Sequence, residues 1–288
     1  MRLMAASCHF RTAPVEIREK IGFSPTQLPL ALDRLGRQYD CEAVILSTCN
    51  RVEIYLGRPD DSLELNPSLI SNFIASFHGL KSEEIEKHLT TRQGLEAARH
   101  LFRVAGSLDS LVLGEGQISG QVKQAYQTAK ELGAAGPVLH ALFQQARVVA
   151  KRIRTETGIS HGHVSVSSVA VDYVREVFDR FDDKTIAVLG AGKMGELTLK
   201  SLRELSPGAV LVCNRSPAKA SELARQCGGE AIPWERLDEV LVRSDIIVST
   251  TGSTEVVVDR ARWDSISPRR KHGRCVILDI AVPRDFDP

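Results

Sequence analysis

The stretch "TIAVLGAGKMGELTLKSL", residues 185 to 202, decides the fold of the second half of the chain. An apolar run ends at Gly190, the pattern G-x-G-x-x-G follows, and helix-forming residues come directly after it. Gly190 permits a tight turn, Gly192 lets a pyrophosphate approach the backbone, and Gly195 allows close helix–strand packing. The helix N-terminus offers free N–H groups to phosphates. The predicted dinucleotide loop consists of Gly190, Ala191, Gly192, Lys193, Met194 and Gly195. The alternative is a glycine-rich turn without a ligand.

Apolar segments alternate with helix-like segments on the C-terminal side of this loop. They are "AVLVCNR" (209–215), "DIIVSTTG" (245–252) and "CVILDIAVP" (275–283). Continuous apolar strands separated by helices are typical of a parallel sheet that is covered on both faces. The sequence therefore predicts a Rossmann-type, doubly wound α/β domain over residues 165–288.

The end of the second strand indicates which dinucleotide is bound. An NAD site usually carries an acidic residue there, whereas this chain has Asn214, Arg215 and Ser216. An arginine would hold a 2′-phosphate through a charge-assisted hydrogen bond. These residues therefore predict an NADP(H) site, and the alternative is that Arg215 is an ordinary surface residue.

The first half of the chain mixes strand and helix patterns and predicts an α+β domain over residues 1–158. Its strands are "RLMAASCHF" (2–10), "EAVILST" (42–48) and "RVEIYLG" (51–57), and Ser24 is the expected N-cap of a helix over 24–38. A long helix is predicted from Pro137 to Glu156. One face of it is apolar, and Arg147, Lys151 and Arg154 form a basic stripe at spacings of four and three. The helix ends at "TGISHGHVS", where we place the domain boundary, near residues 158–165.

The segment "LSTCNRVEIYL", residues 46 to 56, places a single thiol and an arginine in a polar run between two apolar strands. Polar residues are costly in a strand core, so the run predicts a turn. Cys49 is then either a small structural residue or a nucleophile. Arg51 would favour its thiolate or clamp a substrate carboxylate.

A second polar segment is "SLDSLVLGEGQISGQ", residues 107 to 121. Ser110, Glu115, Gln117 and Gln121 could line a pocket at a helix start, or the segment is an ordinary helix N-terminus. His100 lies in the preceding amphipathic helix, where a histidine more often packs than catalyses.

The composition sets the limits of these interpretations. The 288 residues are 43% hydrophobic with a net charge of +1, so any nucleic-acid surface must be local. No segment resembles a signal peptide or a membrane span. The six cysteines form no C-x-x-C pair, which speaks against a zinc or dithiol site and suits a reducing cytoplasm.

Taken together, these segments resemble the glutamyl-tRNA reductase family. The matching segments are "HFRTAPVEIREK", "LSTCNRVEIYL", "AGSLDSLVLGEGQISGQVKQAY", "AKRIRTETGISHGHVSVSSVAV", "VLGAGKMGE", "VCNRS" and "LDIAVPRD". They span nearly the whole chain in the order that the family has. The thiol segment and the "SLDSLVLGEGQI" segment are highly specific, whereas the glycine motif alone is not.

The resemblance implies roles for individual residues. Cys49 would take the glutamyl group of glutamyl-tRNA(Glu) as a thioester, and NADPH would reduce it to glutamate-1-semialdehyde, the first step of five-carbon tetrapyrrole (porphyrin) biosynthesis. His100 matches a histidine important for activity. The substrate-binding residues implied are Thr48, Asn50, Arg51, Ser110, Glu115, Gly116, Gln117 and Gln121. Arg51 would hold the γ-carboxylate, and Glu115 the α-ammonium.

The resemblance also implies partners. Glutamyl-tRNA(Glu) is the expected substrate, and channelling of the product to glutamate-1-semialdehyde aminomutase is expected. The family continues past "LDIAVPRD" into a helical dimerisation domain, whereas this chain stops at Pro288, so we expect residues 1–288 to be monomeric or weakly dimeric. Two alternatives remain open: a shikimate-dehydrogenase-like enzyme without a catalytic thiol, and a nonenzymatic tRNA-binding module.

Overall fold

The computed structural model describes residues 2–59, 66–160, 165–270 and 273–288. The chain divides into two compact units, residues 1–164 and 165–288. Part of the predicted boundary region, residues 161–164, lies outside the described residues. The first unit contains β1 (Arg2–His9), α1 (Val15–Ile21), α2 (Leu28–Tyr39), β2 (Glu42–Ser47), β3 (Arg51–Arg58), α3 (Pro67–His78), α4 (Ser82–Glu86), β4 (Thr90–Gln93), α5 (Gly94–Ala105), α6 (Gly116–Glu131) and α7 (Pro137–Glu156).

The first unit is built on a four-stranded antiparallel sheet with the order β2-β3-β1-β4. Strand β3 lies inside the sheet and is buried along its whole length. Its buried residues include Arg51 and Glu53, which are charged. Charged groups in a strand core need internal partners, so the core of this unit must contain a polar network.

Helix α7 begins and ends where the sequence predicts, at Pro137 and Glu156. The carboxylate of Glu42 on β2 accepts hydrogen bonds from the backbone N–H groups of Val138 and Leu139, at 3.0 and 2.7 Å. These bonds satisfy donors that a helix start leaves without intrahelical partners. An acceptor from the sheet therefore fixes this helix end.

The predicted N-cap Ser24 is wrong, because helix α2 begins at Leu28. The backbone oxygen of Ser24 instead accepts from the N–H groups of Gln27 and Leu28, at 3.0 and 3.1 Å, and closes a turn. Proline is favoured in the first helical turn, where its missing N–H costs nothing, and both Pro25 and Pro29 fit that rule. Pro29 occupies the position, and Pro25 belongs to the turn before it.

The second unit carries a five-stranded sheet whose paired strands are all parallel. Its elements are α8 (Val166–Val177), β5 (Thr185–Leu189), α9 (Lys193–Arg203), β6 (Ala209–Asn214), α10 (Pro217–Cys227), β7 (Glu230–Pro233), α11 (Leu237–Arg243), β8 (Ile246–Ser249), α12 (Arg260–Ile266) and β9 (Val276–Asp279). The strand order is β7-β6-β5-β8-β9, and two separate apolar clusters lie among its strands and helices. The predicted doubly wound sheet is therefore confirmed.

The strand order of this sheet reverses at β5, the strand that precedes the glycine loop. Ligands of doubly wound sheets bind at the carboxyl ends of the strands next to such a reversal.

Strand β7 and helices α11 and α12 were not predicted, because segments of four to seven residues show too little periodicity. In the portion of the chain that the structure describes, no helix is both long enough and apolar enough to cross a membrane.

Candidate functional site

Cys49 lies at the tip of the hairpin that joins β2 to β3. Thr48 organises this tip: its N–H donates to the carbonyl of Arg51 at 2.8 Å, and its hydroxyl accepts from the N–H groups of Asn50 and Arg51 at 3.3 and 3.2 Å. The carbonyl of Asn50 accepts from the N–H of Phe10 at 3.0 Å. The Thr48 side chain and backbone groups thus hold the turn, and Cys49 lies half-buried between two strand ends.

Two ionisable groups of opposite sign act on the Cys49 thiol. Burial raises the pKa of the thiol, the nearby negative charge of Glu115 raises it further, and the positive charge of Arg18 opposes both. The Arg18 guanidinium donates hydrogen bonds to the carbonyls of Cys49 and Ala13. The cation beside the thiol is therefore Arg18 on α1, and not Arg51, the cation next to it in sequence.

We expect this arrangement to set the pH dependence of alkylation at Cys49. Because the pKa is raised, the rate of reaction with iodoacetamide should increase with pH through a midpoint above that of an unperturbed thiol. Glu115→Gln should lower the midpoint, because it removes the like charge. Arg18→Gln should raise it, because it removes the cation. Mass spectrometry of the Cys49 peptide against pH measures the midpoint.

Lys20→Gln is the matched control, since it removes an exposed cation from the same helix α1. It should leave the midpoint where it is. Equal midpoints in all four proteins would show that neither Glu115 nor Arg18 acts on the thiol.

A polar network lies buried behind the hairpin, and Glu53 is its centre. The Glu53 carboxylate accepts from Arg51 at 2.7 Å, from the Nε2–H of His100 at 3.0 Å and from the hydroxyl of Tyr55. The second guanidinium nitrogen of Arg51 donates to the carbonyl of Asp109. Arg51 is 1% exposed, so its guanidinium is enclosed by internal acceptors. These contacts give it a positioning role, and its binding of a substrate carboxylate stays a prediction.

His100 belongs to the same network. Its ring is buried, with Nδ1 3.8 Å from the Asp109 carboxylate. Among the described residues, no hydrogen bond joins His100 to Cys49. Its contacts orient Glu53 and the loop that carries Asp109, while a proton-transfer role stays a prediction.

The loop from Ser107 to Glu115 forms the other side of the site. Ser107, which has a left-handed φ of 60°, closes it by accepting from the N–H of Gly114 at 3.1 Å and donating its hydroxyl to the carbonyl of Glu115 at 2.5 Å. Arg11 donates to the Asp109 carboxylate at 3.2 Å. The loop is thereby tied both to its own ends and to the end of β1.

Ser110 and Glu115 present buried polar groups in this loop. Ser110 is 5% exposed, and within the described residues its hydroxyl is one of the few buried side-chain groups without a hydrogen-bond partner. The carboxylate of Glu115 is also buried, and burial raises its pKa. An unpaired hydroxyl and a desolvated carboxylate are both stabilised by a polar ligand.

Helix α6 starts directly after Glu115, and three predicted binding residues lie in its first turns. Gly116 is the first helical residue, and Gln117 and Gln121 are four residues apart, so they share one helix face and are half-buried. The sequence prediction that a helix starts at this polar segment is confirmed. The substrate-binding roles of these glutamines stay predictions.

The glycine loop of the second unit has the geometry of a phosphate cradle. Gly190 has φ of 96°, a backbone conformation that side chains rarely adopt, and a Cβ on Gly195 would lie 2.6 Å from the carbonyl oxygen of Gly190. A Cβ on Gly192 would meet nothing within 4 Å, so the space above this backbone is open. Gly192 is the N-cap of α9 and provides no side-chain cap, which leaves the N–H groups of the first turn for a ligand.

Three further predicted cofactor residues lie at or just after the carboxyl end of β6. The amide oxygen of Asn214 accepts from the N–H of Ala191 at 3.2 Å and so fixes the glycine loop. Arg215 is exposed, lies 5.5 Å from the centre of the Trp234 ring, and donates to the hydroxyl of Ser253 at 3.1 Å. Ser216 is the N-cap residue of α10. The arginine is therefore held in place beside the loop.

Sequence reasoning missed Arg18, Glu53 and Asp109. Glu53 gave a usable signal, because a carboxylate within the apolar run "VEIYL" has to be paired if the strand is buried. Arg18 gave none, because it lies 31 residues from the thiol in sequence.

Comparison with known proteins matches each half of the chain to a different family model. Residues 6–157 match the sequence model of the "Glutamyl-tRNAGlu reductase, N-terminal domain", and residues 172–288 match that of "Shikimate / quinate 5-dehydrogenase". The glutamyl-tRNA reductase of Magnetococcus marinus is 43% identical over 289 aligned positions, which cover 100% of this chain and 68% of that protein. The reductase of Desulfitobacterium hafniense is 41% identical and is covered to 62%.

A solved structure is similar as well. The glutamyl-tRNA reductase of Methanopyrus kandleri aligns with 99% of this chain and 67% of its own, at 35% identity and a TM-score of 0.52. The chain thus spans about two thirds of the length of the relatives it matches. The hairpin thiol, the 107–121 segment and the glycine loop all fall within the aligned residues, and by this similarity the chain belongs to the glutamyl-tRNA reductase family.

Proposed function

We propose that this chain reduces the glutamyl group of glutamyl-tRNA(Glu) to glutamate-1-semialdehyde with NADPH, the first step of five-carbon tetrapyrrole biosynthesis. The observation that carries the proposal is the half-buried Cys49 at a hairpin tip, flanked by Arg18 and Glu115, in a chain of this family. A lone buried structural cysteine would need neither a polar turn nor charged neighbours.

The thiol chemistry divides one difficult reduction into two steps. The Cys49 thiolate attacks the glutamyl ester carbonyl, a C–S bond forms, and the ester C–O bond breaks so that the tRNA ribose oxygen leaves and takes up a proton. Bound NADPH supplies the hydride that converts the thioester carbon to an aldehyde. The C–S bond breaks in that second step, and the thiolate of Cys49 is regenerated.

The environment of Cys49 suits activation by the substrate itself. In the free protein the pKa of the thiol is raised by burial and then by the charge of Glu115. A glutamyl α-ammonium beside Glu115 would offset that charge and favour the thiolate when substrate is bound. The unpaired hydroxyl of Ser110 offers a further hydrogen bond to the glutamyl group. Arg51 and His100 support the pocket from behind through Glu53.

The residues of the second unit fit a dinucleotide with a 2′-phosphate. The open backbone at Gly192 and the start of α9 suit a pyrophosphate. Arg215, braced by Trp234 and Ser253, suits the 2′-phosphate as a charge-assisted donor. Asn214 orients the loop, and Ser216 adds a hydroxyl at the start of α10.

Arg215→Ala should weaken NADPH binding about ten- to a hundredfold and NADH binding far less, since a lost charge-assisted contact is worth about 1.5–3 kcal/mol. Fluorescence titration with both cofactors measures the ratio. Arg225→Ala, on the exposed face of α10 and paired with Glu222, is the control and should leave both affinities unchanged. Equal losses of NADPH and NADH affinity in the Arg215 variant would show that Arg215 does not bind the 2′-phosphate.

Incubation of the protein with glutamyl-tRNA(Glu) and NADPH, followed by assay of glutamate-1-semialdehyde, tests the proposed function directly. Formation of semialdehyde with matching NADPH oxidation supports it. Absence of both, with a protein that binds NADPH, overturns it.

The match of residues 172–288 to shikimate dehydrogenases favours one other candidate, a dehydrogenase of that kind. Such an enzyme needs no catalytic thiol, so iodoacetamide would leave its activity intact.

We further propose that the protein works in the reducing cytoplasm, where its six free cysteines remain reduced. Transfer of the product to glutamate-1-semialdehyde aminomutase and homodimer formation stay predictions.

A further inference from the structure

A groove of about 380 Å³ lies between helices α6 and α7 of the first unit. It is lined by Ser119, Gly120, Lys123, Arg147, Lys151, Arg154 and Thr155. Four of these residues are cations, and none of the described residues that line the groove is acidic. In a chain whose net charge is only +1, this is a marked local concentration of positive charge.

The cations share the groove because of the way the two helices pack. Helix α7 buries an apolar face that includes Phe143, Ala146 and Ala150. Arg147, Lys151 and Arg154 recur at spacings of four and three, so they lie together on another face of that helix. Lys123 joins them from α6. The Arg147 guanidinium donates a hydrogen bond to the amide oxygen of Gln144 at 3.0 Å, and this neutral acceptor does not cancel its charge.

Uncharged features of the groove also suit a phosphate backbone. Ser119 and Thr155 supply hydroxyls, which are common ligands of phosphate oxygens. A Cβ on Gly120 would meet nothing within 4 Å, so the groove is open to close approach at this residue. At a rise of 1.5 Å per residue, Arg147 and Arg154 lie roughly 10 Å apart along the helix axis, so the cations form an extended row.

The groove adjoins the thiol site through the start of α6. A Cβ on Gly116 would lie 3.3 Å from a guanidinium nitrogen of Arg154, so this groove residue packs on the peptide that follows Glu115. Glu115 is the carboxylate whose charge acts on the Cys49 thiol. A chain of phosphates in the groove would therefore lie beside the start of α6, directly after Glu115 in the chain.

We propose that this groove holds the sugar-phosphate backbone of the RNA that carries the acyl group. The proposal rests on the proposed function for the identity of that RNA. It adds the surface that binds the RNA and three side chains that contact phosphates, Lys123, Arg147 and Lys151. An extended row of cations suits successive phosphodiesters better than one isolated phosphate group.

The test is the salt dependence of binding of unacylated tRNA(Glu) to the full chain. A triple variant, Lys123→Gln, Arg147→Gln and Lys151→Gln, should bind about ten- to a hundredfold more weakly near physiological salt. The slope of log K against log salt should become smaller by about two to three, since each phosphate contact contributes roughly 0.7–0.9. All three side chains are exposed, so the melting temperature should not change.

A charge-matched control removes three exposed cations elsewhere on the same unit, by Arg37→Gln, Arg99→Gln and Arg152→Gln. It should keep the wild-type slope. Gly120→Phe offers a second variant that keeps every charge and fills the groove, so it should weaken binding by steric exclusion. Two results would overturn the proposal. One is a wild-type salt slope of tRNA binding in the triple variant, and the other is an equal loss of tRNA affinity in the control triple.

Two further arms separate the possible outcomes. Inorganic phosphate at constant ionic strength should displace little tRNA, and displacement at low concentration would mean that the groove holds an isolated phosphate group instead. If the groove variants lose the salt slope while the wild type forms no semialdehyde from glutamyl-tRNA, the groove stands and the proposed function fails. If semialdehyde forms while the slope is unchanged in the triple variant, the function stands and the groove proposal fails.

Discussion

Replacing Cys49 with serine should lower reductase activity by at least about a thousandfold, because a hydroxyl without a strong base is a far weaker nucleophile than a thiolate. The turn should survive the change, since it is held by Thr48 and by backbone bonds and not by the sulfur. Affinity for NADPH should also be unchanged, because the glycine loop belongs to the second unit. Turnover of glutamyl-tRNA and NADPH titration measure the two quantities.

The same experiment has a covalent readout. Wild-type protein that is given glutamyl-tRNA without NADPH should accumulate a glutamyl adduct on Cys49, which mass spectrometry can place. Cys41→Ser is the matched control: Cys41 is a half-buried cysteine of the same unit, with a pKa raised to about 11. The Cys41→Ser variant should keep its reductase activity and should still accumulate the glutamyl adduct on Cys49. An adduct on another cysteine, or turnover without any adduct, would refute the thioester mechanism.

Glu53→Gln should destabilise the protein by about 3–5 kcal/mol, since it leaves Arg51 buried without its counter-charge. A loss of that size corresponds to a fall in melting temperature of about 6–20 °C. Reductase activity should fall as well, because Arg51 and His100 lose the acceptor that holds them. Chemical and thermal unfolding, followed by activity at a temperature where the variant is folded, separate the two effects.

The destabilisation should depend on pH in a defined direction. Burial alone would raise the pKa of Glu53, but the hydrogen bond from His100 and the charge of Arg51 outweigh it and bring the pKa to about 2. A carboxylate whose pKa is lower in the folded state stabilises the protein above its ordinary pKa, here 4.5, and loses that effect as pH falls towards 2. The stability difference between wild type and Glu53→Gln should therefore narrow across this interval.

Glu96→Gln provides the comparison for both measurements. Glu96 is paired with Arg99, and both side chains are more than half exposed. Exposed pairs contribute at most about 1 kcal/mol, so this variant should unfold almost like the wild type. Similar losses in the Glu53 and Glu96 variants would show that the buried network does not support the fold.

Regular patterns in the sequence predicted most of the architecture. The boundaries of α7 followed from Pro137 and the apolar repeat, and the parallel sheet followed from continuous apolar strands around the glycine motif. Ser24 failed as a cap because two prolines fit the same local rule, and the helix begins next to the second of them, Pro29 being in its first turn. Local rules determine which elements form more reliably than where each one starts.

The sequence identified some residues of the candidate site but not all of their contacts. Cys49 was singled out because a polar run lies between two apolar strands, and Glu115 because glycines flank it just before a helix. The structure adds that the charge of Glu115 acts on the Cys49 thiol. The sequence suggested that Arg51 would act on the Cys49 thiol because the two residues are close in sequence. Closeness in sequence does not bring two side chains together, and the Arg51 side chain contacts Glu53 and Asp109 instead. Cys49 lies in the turn before β3, whereas Arg51 is the first residue of β3 and its side chain is buried in the core.

By itself, the sequence determined the longer elements, the glycine loop and the family, because periodicity, backbone preference and motif spacing are properties of neighbouring residues. Only the tertiary structure decided which charges meet. Arg18 reaches Cys49 across 31 residues, His100 reaches Glu53 across 47, and Arg51 reaches Asp109 across 58. Such contacts depend on strand register and helix packing, and the burial that shifts each pKa exists only once the sheet and helices have closed around these groups.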